Sequence, residues 1–170
     1  MNRNKNKTNL GFTLIELLVV IAIIALLTSI ALIAFMSARQ KARDANRLAN
    51  MTEMNNALEL YFATNKGYPS GTLGVPQGLT PSVLASLPKA PTPPDGVCVG
   101  LAHSAACSSL DPSCSGVAAN TYYYAASGTA YQGFTGGPMV YPDYSYFLCL
   151  GNQTGNFSSG ERILNPKGLK

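Results

Sequence analysis

The sequence predicts an α+β fold in which one long N-terminal helix is followed by a small β-rich head. Residues 17–36 are an apolar run without a charge, a Gly or a Pro, and residues 37–64 continue without Gly or Pro. Beyond residue 66 the composition changes to Gly, Pro, Ser, Thr and Tyr, with strand patterns near the end. A chain of 170 residues leaves room for one modest domain after such a helix.

The apolar run is long enough to cross a membrane. A helical rise of ~1.5 Å per residue gives it about 30 Å, the thickness of a bilayer's hydrocarbon core. Glu16 lies at its start, where an unpaired carboxylate is costly in lipid, so this residue is a functional candidate. The simpler interpretation is that Glu16 occupies a first helical turn, where the helix dipole favours an anion. We expect residues 12–36 to form the transmembrane segment.

A short motif leads into the apolar run, after a leader whose charges are all basic. The motif is Gly11-Phe12-Thr13-Leu14-Ile15-Glu16, and the leader carries Arg3, Lys5 and Lys7. This pattern resembles the type IV pilin-like proteins. The resemblance implies that a membrane-embedded prepilin peptidase removes residues 1–11 as a leader peptide by cutting between Gly11 and Phe12, and that it methylates the freed amine of Phe12.

The freed amine of Phe12 and the carboxylate of Glu16 have opposite charges at neutral pH. Two pairings are open. Phe12 and Glu16 are one helical turn apart, so the amine can neutralise the carboxylate of its own chain. Alternatively, an unpaired Glu16 attracts the amine of another subunit in a growing filament. The family resemblance favours this second pairing, which makes Glu16 and Phe12 candidate assembly residues.

Two other interpretations of the N-terminus compete with peptidase cleavage at Gly11. One is a conventional secretory signal, but its cleavage site near residues 36–38 would place Met36 where a small residue is preferred. The other is a plain membrane anchor. The basic residues that follow the run outnumber those before it, which conflicts with the expected orientation, and the motif decides in favour of processing. These residues are Arg39, Lys41, Arg43 and Arg47.

The second half of the predicted helix is amphipathic. Apolar residues recur at spacings of three and four, which places them on one face, where we expect core packing. They are Leu48, Met51, Met54, Leu58 and Tyr61. Gly67 suits a left-handed helix cap, with Pro69 just beyond it. The predicted helix therefore covers residues 12–65, and the head covers residues 66–170.

The head begins with a Pro-rich connection over residues 68–96, in which residues 81–87 form a candidate short helix. Strand patterns follow. Residues 121–126 and 129–134 predict a hairpin around Gly128, and residues 144–150 predict a strand that returns at residues 162–164. Three or four antiparallel strands would then cover the amphipathic face. Strands favour Tyr, so we interpret the tyrosines as packing residues in preference to a stacking surface for ligands.

The four cysteines, Cys98, Cys107, Cys114 and Cys149, all lie in the part of the chain predicted to be outside the cytoplasm. Disulfides persist there, and four cysteines allow three pairings. We favour Cys98 with Cys149 and Cys107 with Cys114, because the close pair closes a short loop. A zinc site using His103 with Cys98, Cys107 and Cys114 is the weaker alternative, since the spacing lacks paired C-x-x-C motifs.

Composition and motifs argue against several functions. The net charge of +4 falls to +1 once the leader's three basic residues are removed, so the mature chain offers little attraction for nucleic acid. No catalytic motif is present, and the chain has a single His, so we expect no enzymatic activity, no cofactor and no metal. A calcium site at Asp143, as in some secretion pseudopilins, is allowed but not required.

The sequence therefore predicts a structural subunit of a type IV pilus. Such a subunit would be a single-pass protein of the cytoplasmic membrane, which the prepilin peptidase processes and an assembly platform with its ATPase adds to a homopolymeric filament at the cell surface. A type II secretion pseudopilin is the alternative within the family. A membrane-anchored or secreted ligand-binding module is the alternative of another class.

Overall fold

The computed structural model describes residues 11–170, so the leader predicted over residues 1–11 lies outside the described residues except for Gly11. A single helix, α1, spans Leu14–Asn65. The chain divides into two compact units, with the boundary between Arg39 and Gln40. The first unit contains the apolar part of α1. The second contains the rest of α1 and the head.

In the second unit, α1 buries the predicted apolar stripe. Met51, Met54, Leu58 and Tyr61 are all buried, and the partly buried Leu48 packs against the same core. The spacing of these residues turns them to one side of a 3.6-residue helix, and the sheet covers that side. The prediction of an amphipathic second half is confirmed.

Eight short strands, all paired antiparallel, form the sheets of the head. The main sheet has four strands in the order β3-β6-β7-β8, and β1-β2 and β4-β5 are separate two-stranded ribbons. The strands are β1 Gly71–Thr72, β2 Val75–Pro76, β3 Tyr123–Ser127, β4 Tyr131–Gln132, β5 Met139–Val140, β6 Asp143–Leu150, β7 Gly160–Asn165 and β8 Gly168–Leu169. The predicted α+β class, a long helix with small antiparallel sheets, is confirmed.

The central strand β6 is buried on both faces. Tyr144, Tyr146, Leu148 and Leu150 share one core with the helical stripe. On the other face, Phe147 packs with Tyr123 and Ala125 and with the Cys107 and Cys114 side chains. The head therefore has a main core between helix and sheet and a smaller one under the disulfide-closed loop.

One predicted strand pairing is wrong. We expected residues 121–126 to pair with residues 129–134, but β3 pairs with β6, with Tyr124 opposite Tyr146. The segment after Gly128 instead forms β4, which pairs with β5. The two strands of β4-β5 have only two residues each, whereas β6 offers eight residues with a fully buried stripe, so burial favours the β3-β6 pairing.

The predicted short helix at residues 81–87 is also wrong, because the chain forms turns there. A segment of seven residues between two prolines is too short for a stable isolated helix, so its packing decides its conformation. Leu79 is fully buried, and Val83, Leu84 and Leu87 pack against the main core. The second helix, α2, occupies Ala105–Leu110 instead.

The helix α1 ends at Asn65, as predicted, but the left-handed residue after it is Lys66 and not the predicted Gly67. Lys66 has the left-handed backbone conformation, with φ 62°, and its N–H donates to the Phe62 carbonyl. Gly67 has a different function. A Cβ at this position would lie 2.4 Å from Val140 Cγ2, so the chain needs glycine here for close packing of β5 against the helix end.

A buried ion network joins α1 to the loops of the head. Asp44 and Arg47 are 0% and 1% exposed, and Arg47 Nη1 donates to Asp44 Oδ1 at 2.6 Å. Asp44 also accepts hydrogen bonds from the backbone N–H groups of Gly151 (3.0 Å) and Asn152 (2.9 Å). These contacts hold the turn after β6 against the helix.

Asp95 extends this network on its other side. Its carboxylate accepts two hydrogen bonds from Arg43, at 2.5 and 2.7 Å, and one from Arg47 at 3.3 Å. The hydrogen bonds from Arg43, aided by the positive charges of both arginines, hold the pKa of Asp95 below its ordinary value of 3.8, although burial acts in the opposite direction. Arg47 Nη2 also donates to Asn120 Oδ1 at 2.8 Å.

Candidate functional site

The predicted cleavage site lies in exposed, non-helical backbone directly before α1. Gly11 and Phe12 precede the first helical residue, Leu14, and the Phe12 side chain is 80% exposed. Among residues 11–170, no neighbouring atom lies within 4 Å of the position that a Cβ on Gly11 would occupy. The peptide bond between Gly11 and Phe12 is therefore not covered by any described part of the chain.

Glu16 forms a reciprocal cap at the start of α1 with Thr13. The Glu16 Oε2 atom accepts from the Thr13 backbone N at 2.9 Å and from Thr13 Oγ1 at 2.6 Å. In return, the Glu16 backbone N donates to Thr13 Oγ1 at 3.3 Å. This arrangement is a capping box, in which two N–H groups at the helix start are both satisfied by side chains.

Thr13 is a site residue that the sequence analysis missed. The available signal was the spacing Thr-x-x-Glu immediately before an apolar run, which is characteristic of a capping box. The contact has a structural consequence for Glu16. Thr13 fixes one carboxylate oxygen, while the other oxygen, Oε1, accepts no hydrogen bond from any residue between 11 and 170. The carboxylate therefore retains the capacity to accept one further donor.

A shallow apolar depression lies beside this carboxylate on the exposed surface of α1. It has a volume of about 370 Å³ and is lined by Phe12, Ile15, Glu16, Val19 and Val20. A cationic group that enters it would meet a carboxylate in surroundings with few competing polar groups. Charge pairs are strengthened in such an environment, provided that both partners are present.

The helix beyond Glu16 is exposed and apolar over the whole predicted membrane segment. By length and composition, α1 is able to cross a membrane. The two polar side chains in the run are satisfied within the helix, because Thr28 Oγ1 donates to the Ile24 carbonyl and Ser29 Oγ to the Leu26 carbonyl, each at 2.7 Å. At the end of the run the Arg39 guanidinium lies 4.2 Å from the centre of the Phe35 ring. The surface of this segment suits lipid or other apolar helices.

The cysteines form two disulfides in the head, Cys98–Cys149 and Cys107–Cys114, which is the pairing that the sequence analysis favours. The side chain of His103, the remaining member of the alternative zinc set, contacts Glu161 and the Thr121 carbonyl. In the part of the chain that the structure describes, no group of three or more His, Cys, Asp or Glu residues is arranged to hold a metal ion.

Six of the nine tyrosines are buried, and Tyr131 is the one that is exposed, so the tyrosines do not form an exposed stacking surface. Tyr124 and Tyr144 are fully buried, and burial raises the pKa of both phenols. Their hydroxyls donate to the Pro69 carbonyl at 2.7 Å and to Asn55 Oδ1 at 3.1 Å. Tyr122 accepts from Asn50 Nδ2 at 3.0 Å. These hydrogen bonds tie the sheet to α1 and to the chain that follows it.

Three features stand together at the N-terminus: a helix with an exposed apolar surface, a capped glutamate and an exposed Gly-Phe bond. The family model of the prokaryotic N-terminal methylation motif matches residues 6–32. The resemblance to type IV pilin-like proteins is therefore confirmed at this end of the chain. No solved structure matches the chain significantly.

Secretion and pilus proteins of known name are similar to part of the chain. Type II secretion system core protein G of Escherichia coli is 36% identical over 84 residues, which cover 49% of this chain and 52% of the relative. The Aeromonas hydrophila core protein G is 34% identical over 65 residues, or 38% of this chain and 46% of the relative. The type IV wide pilus major component PilA4 of Thermus thermophilus is 42% identical over 60 residues, or 35% of this chain and 46% of the relative. The chain spans about half the length of these relatives.

Proposed function

We propose that this chain is a structural subunit of a type IV pilus, processed after Gly11 and assembled into a filament through its N-terminal helix. One observation carries the proposal: a carboxylate whose Oε1 accepts no hydrogen bond from residues 11–170 lies at the start of an exposed apolar helix, directly after the exposed Gly11–Phe12 bond. The methylation-motif match covers the same residues. The proposal assigns the chain no enzymatic activity and no cofactor.

Each residue of the site has a distinct role in this proposal. Cleavage by a prepilin peptidase frees the amine of Phe12 and leaves Thr13 as the second residue, so the cap on Glu16 is retained. Oε1 of Glu16 then accepts the amine of Phe12 from a neighbouring copy, which neutralises two charges that would each be costly in an apolar environment.

The apolar surface of α1 serves in two environments. Before assembly it contacts the lipid of the cytoplasmic membrane, and in the filament it contacts the helices of other copies. Small residues such as Ala22, Ala25, Ala31 and Ala34 allow these helices to approach closely. An assembly platform with its ATPase would supply the work of extraction, and the head would form the filament surface.

The test replaces Glu16 with Ala in a host that has a prepilin peptidase and a pilus assembly system. We expect the variant to be cut and methylated at Phe12, as measured by intact mass and N-terminal sequencing, but to yield no sheared surface filaments. The exposed residue Glu53, on the same helix, provides the matched control, and Glu53→Ala should assemble normally. Normal filaments from the Glu16→Ala variant would contradict the assembly role.

A subunit of a type II secretion pseudopilus is the second candidate, because core protein G of two species is 36% and 34% identical to part of the chain. The two candidates differ in the location of the filament: a pilus extends outside the cell, whereas a pseudopilus stays within the cell envelope. Immunogold labelling of the head on filaments outside wild-type cells supports a pilus. Labelling confined to the cell envelope, together with loss of protein secretion on deletion, supports a pseudopilus.

A further inference from the structure

The middle of the head is almost free of charge. Between residues 96 and 142 the sequence contains one Asp, Glu, Lys or Arg residue, which is Asp111, and its carboxylate accepts hydrogen bonds from Ser113 and Tyr123. The other charges of the second unit lie on α1, on the connection that follows it as far as residue 95, and from Asp143 onward. Because identical copies carry identical charges, an uncharged surface is one that they can bring together without like-charge repulsion.

One exposed apolar patch of this uncharged part lies beside the first turns of α1 in the second unit. We call it the valine patch, and its three residues, all about half exposed, are Val97, Val99 and Leu101. The Cys98–Cys149 disulfide ties this segment to the end of β6. Gly96 packs so closely on the Gly151 carbonyl that a Cβ would not fit there, and the Gly151 N–H donates to Asp44 at 3.0 Å. The valine patch therefore lies at the level of Asp44 on the helix.

A second exposed apolar patch lies on the β4-β5 ribbon. We call it the ribbon patch, and its three exposed residues are Phe134, Pro138 and Met139. Gly133 packs against the Asn65 carbonyl with no room for a Cβ, and Val140 of β5 packs against Gly67. The Tyr131 hydroxyl donates to the Lys66 carbonyl at 2.5 Å. The ribbon patch therefore lies at the level where α1 ends.

The two patches lie at opposite ends of the head. Asp44 and Asn65 mark their levels on the same helix, and a rise of ~1.5 Å per residue separates these levels by about 30 Å. One chain cannot bring its own patches together over that distance. A contact between different patches of two copies leaves one patch of each copy available for the next copy, so it repeats without closing, which is the kind of contact that builds a helical filament.

We propose that the valine patch of one copy packs on the ribbon patch of the next copy, so that the heads form a head-to-tail contact in addition to the contact between N-terminal helices. This inference rests on the proposed filament. Three side chains fall far short of the roughly 20–30 residues that each partner of a stable complex contributes. The contact therefore forms where the helices already hold copies side by side, and it strengthens the filament without making heads dimerise in solution.

Cysteine cross-linking in assembled filaments tests the contact. The four native cysteines are paired in disulfides, so introduced thiols are the free ones. Filaments of the double variant Val99→Cys/Met139→Cys should give a ladder of dimers, trimers and longer chains on mild oxidation. Filaments that mix the two single variants should give dimers and nothing longer, because each copy then has one reactive end. Filaments of either single variant alone should give no cross-linked species.

A failure of this contact is distinguishable from a failure of the proposed function. Filaments of the double variant that form but do not cross-link would overturn the contact and leave the proposed filament intact. Cross-linking that ends at dimers in the double variant would also overturn it, because the patches would then close in a two-fold pair. If the wild-type chain forms no filament in the cell envelope or outside the cell, the proposed function fails, and the contact fails with it.

Charge substitutions give a second, independent measurement should the cysteine variants not assemble. Val99→Lys and Met139→Glu each place an unpaired charge in an apolar contact, so each should lower the yield of filaments several-fold. In the combined variant the lysine of one copy meets the glutamate of the next, and the yield should recover. Gln153→Lys, at an exposed position outside both patches, should assemble like the wild type. A combined variant that yields no more filament than the poorer single variant would overturn the proposal.

Discussion

Replacing Asp44 with Ala should destabilise the head more than any other single change in a charged residue of α1. The carboxylate is 0% exposed and accepts three hydrogen bonds of 3.0 Å or less, from Arg47 Nη1 and from the backbone N–H groups of Gly151 and Asn152. The alanine variant leaves both N–H groups without an acceptor. It also leaves Arg47, itself 1% exposed, with Asp95 as its remaining carboxylate partner.

The magnitude follows from these lost contacts. Removing one partner of a buried ion pair costs about 3–5 kcal/mol, and each orphaned buried N–H costs about 1–3 kcal/mol when considered alone. The contributions share one site and do not add, so we expect the free energy of unfolding to fall by about 4 kcal/mol. That is a large fraction of the roughly 5–15 kcal/mol by which a domain of this size is stable.

Urea unfolding of the full chain in a mild detergent, followed by near-ultraviolet circular dichroism of the tyrosines, measures this change. Asp44→Asn is the matched variant, because its amide oxygen still accepts one hydrogen bond, and it should lose less stability than Asp44→Ala. Glu53→Ala, at an exposed position of the same helix, should remain within about 0.5 kcal/mol of the wild type. An Asp44→Ala chain within about 1 kcal/mol of the wild type would refute the assigned role of this network.

Two further predictions concern the head. The pKa of Asp95 is lowered in the folded state. The ionised Asp95 therefore stabilises the head above pH 3.8, the ordinary pKa, and this stabilisation is lost as pH falls through the lower pKa of the folded state. The variant Asp95→Asn should show a smaller loss of stability at acidic pH when urea unfolding is measured at a series of pH values. Opening Cys98–Cys149 with paired Ser substitutions should cost about 4 kcal/mol, against about 2.5 kcal/mol for Cys107–Cys114, because the sequence separations are 51 and 7 residues. Equal losses in the two paired variants would contradict the loop-entropy argument.

The helix shows how far a local pattern extends. The stripe from Met51 to Tyr61 was predictable, because apolar residues at a 3.6-residue period must turn to one side whatever covers them. Asp44 and Arg47 continue the same stripe at the same spacing, yet both are charged, and a charged pair on a helix surface is usually solvated. Their burial depends on partners 48 to 108 residues away, at Asp95, Asn120, Gly151 and Asn152, and no local pattern indicates those partners.

For the strands, the sequence pattern indicated where a strand lies but not which strand it pairs with. Alternating residues identified β6, because side chains of a strand alternate between its faces. They did not identify its neighbour, because any strand with an apolar face is a suitable partner until the full core is assembled. The turn at Gly128 favoured a local hairpin with residues 129–134, but the longer buried face of β6 outweighed it.

At the N-terminus the sequence by itself determined the resemblance to type IV pilin-like proteins, since the basic leader, the Gly-Phe motif, the glutamate and the apolar run are contiguous and their chemistry needs no tertiary contact to be recognised. It also determined the α+β architecture, whereas for the cysteines it favoured one of three possible pairings, the one that the structure has. Only the tertiary structure decided which charges are buried, which strands pair and that both nitrogens of His103 face acceptors. Those features join residues distant in the chain, and their energies depend on the exclusion of water, which is a property of the assembled core and not of any single segment.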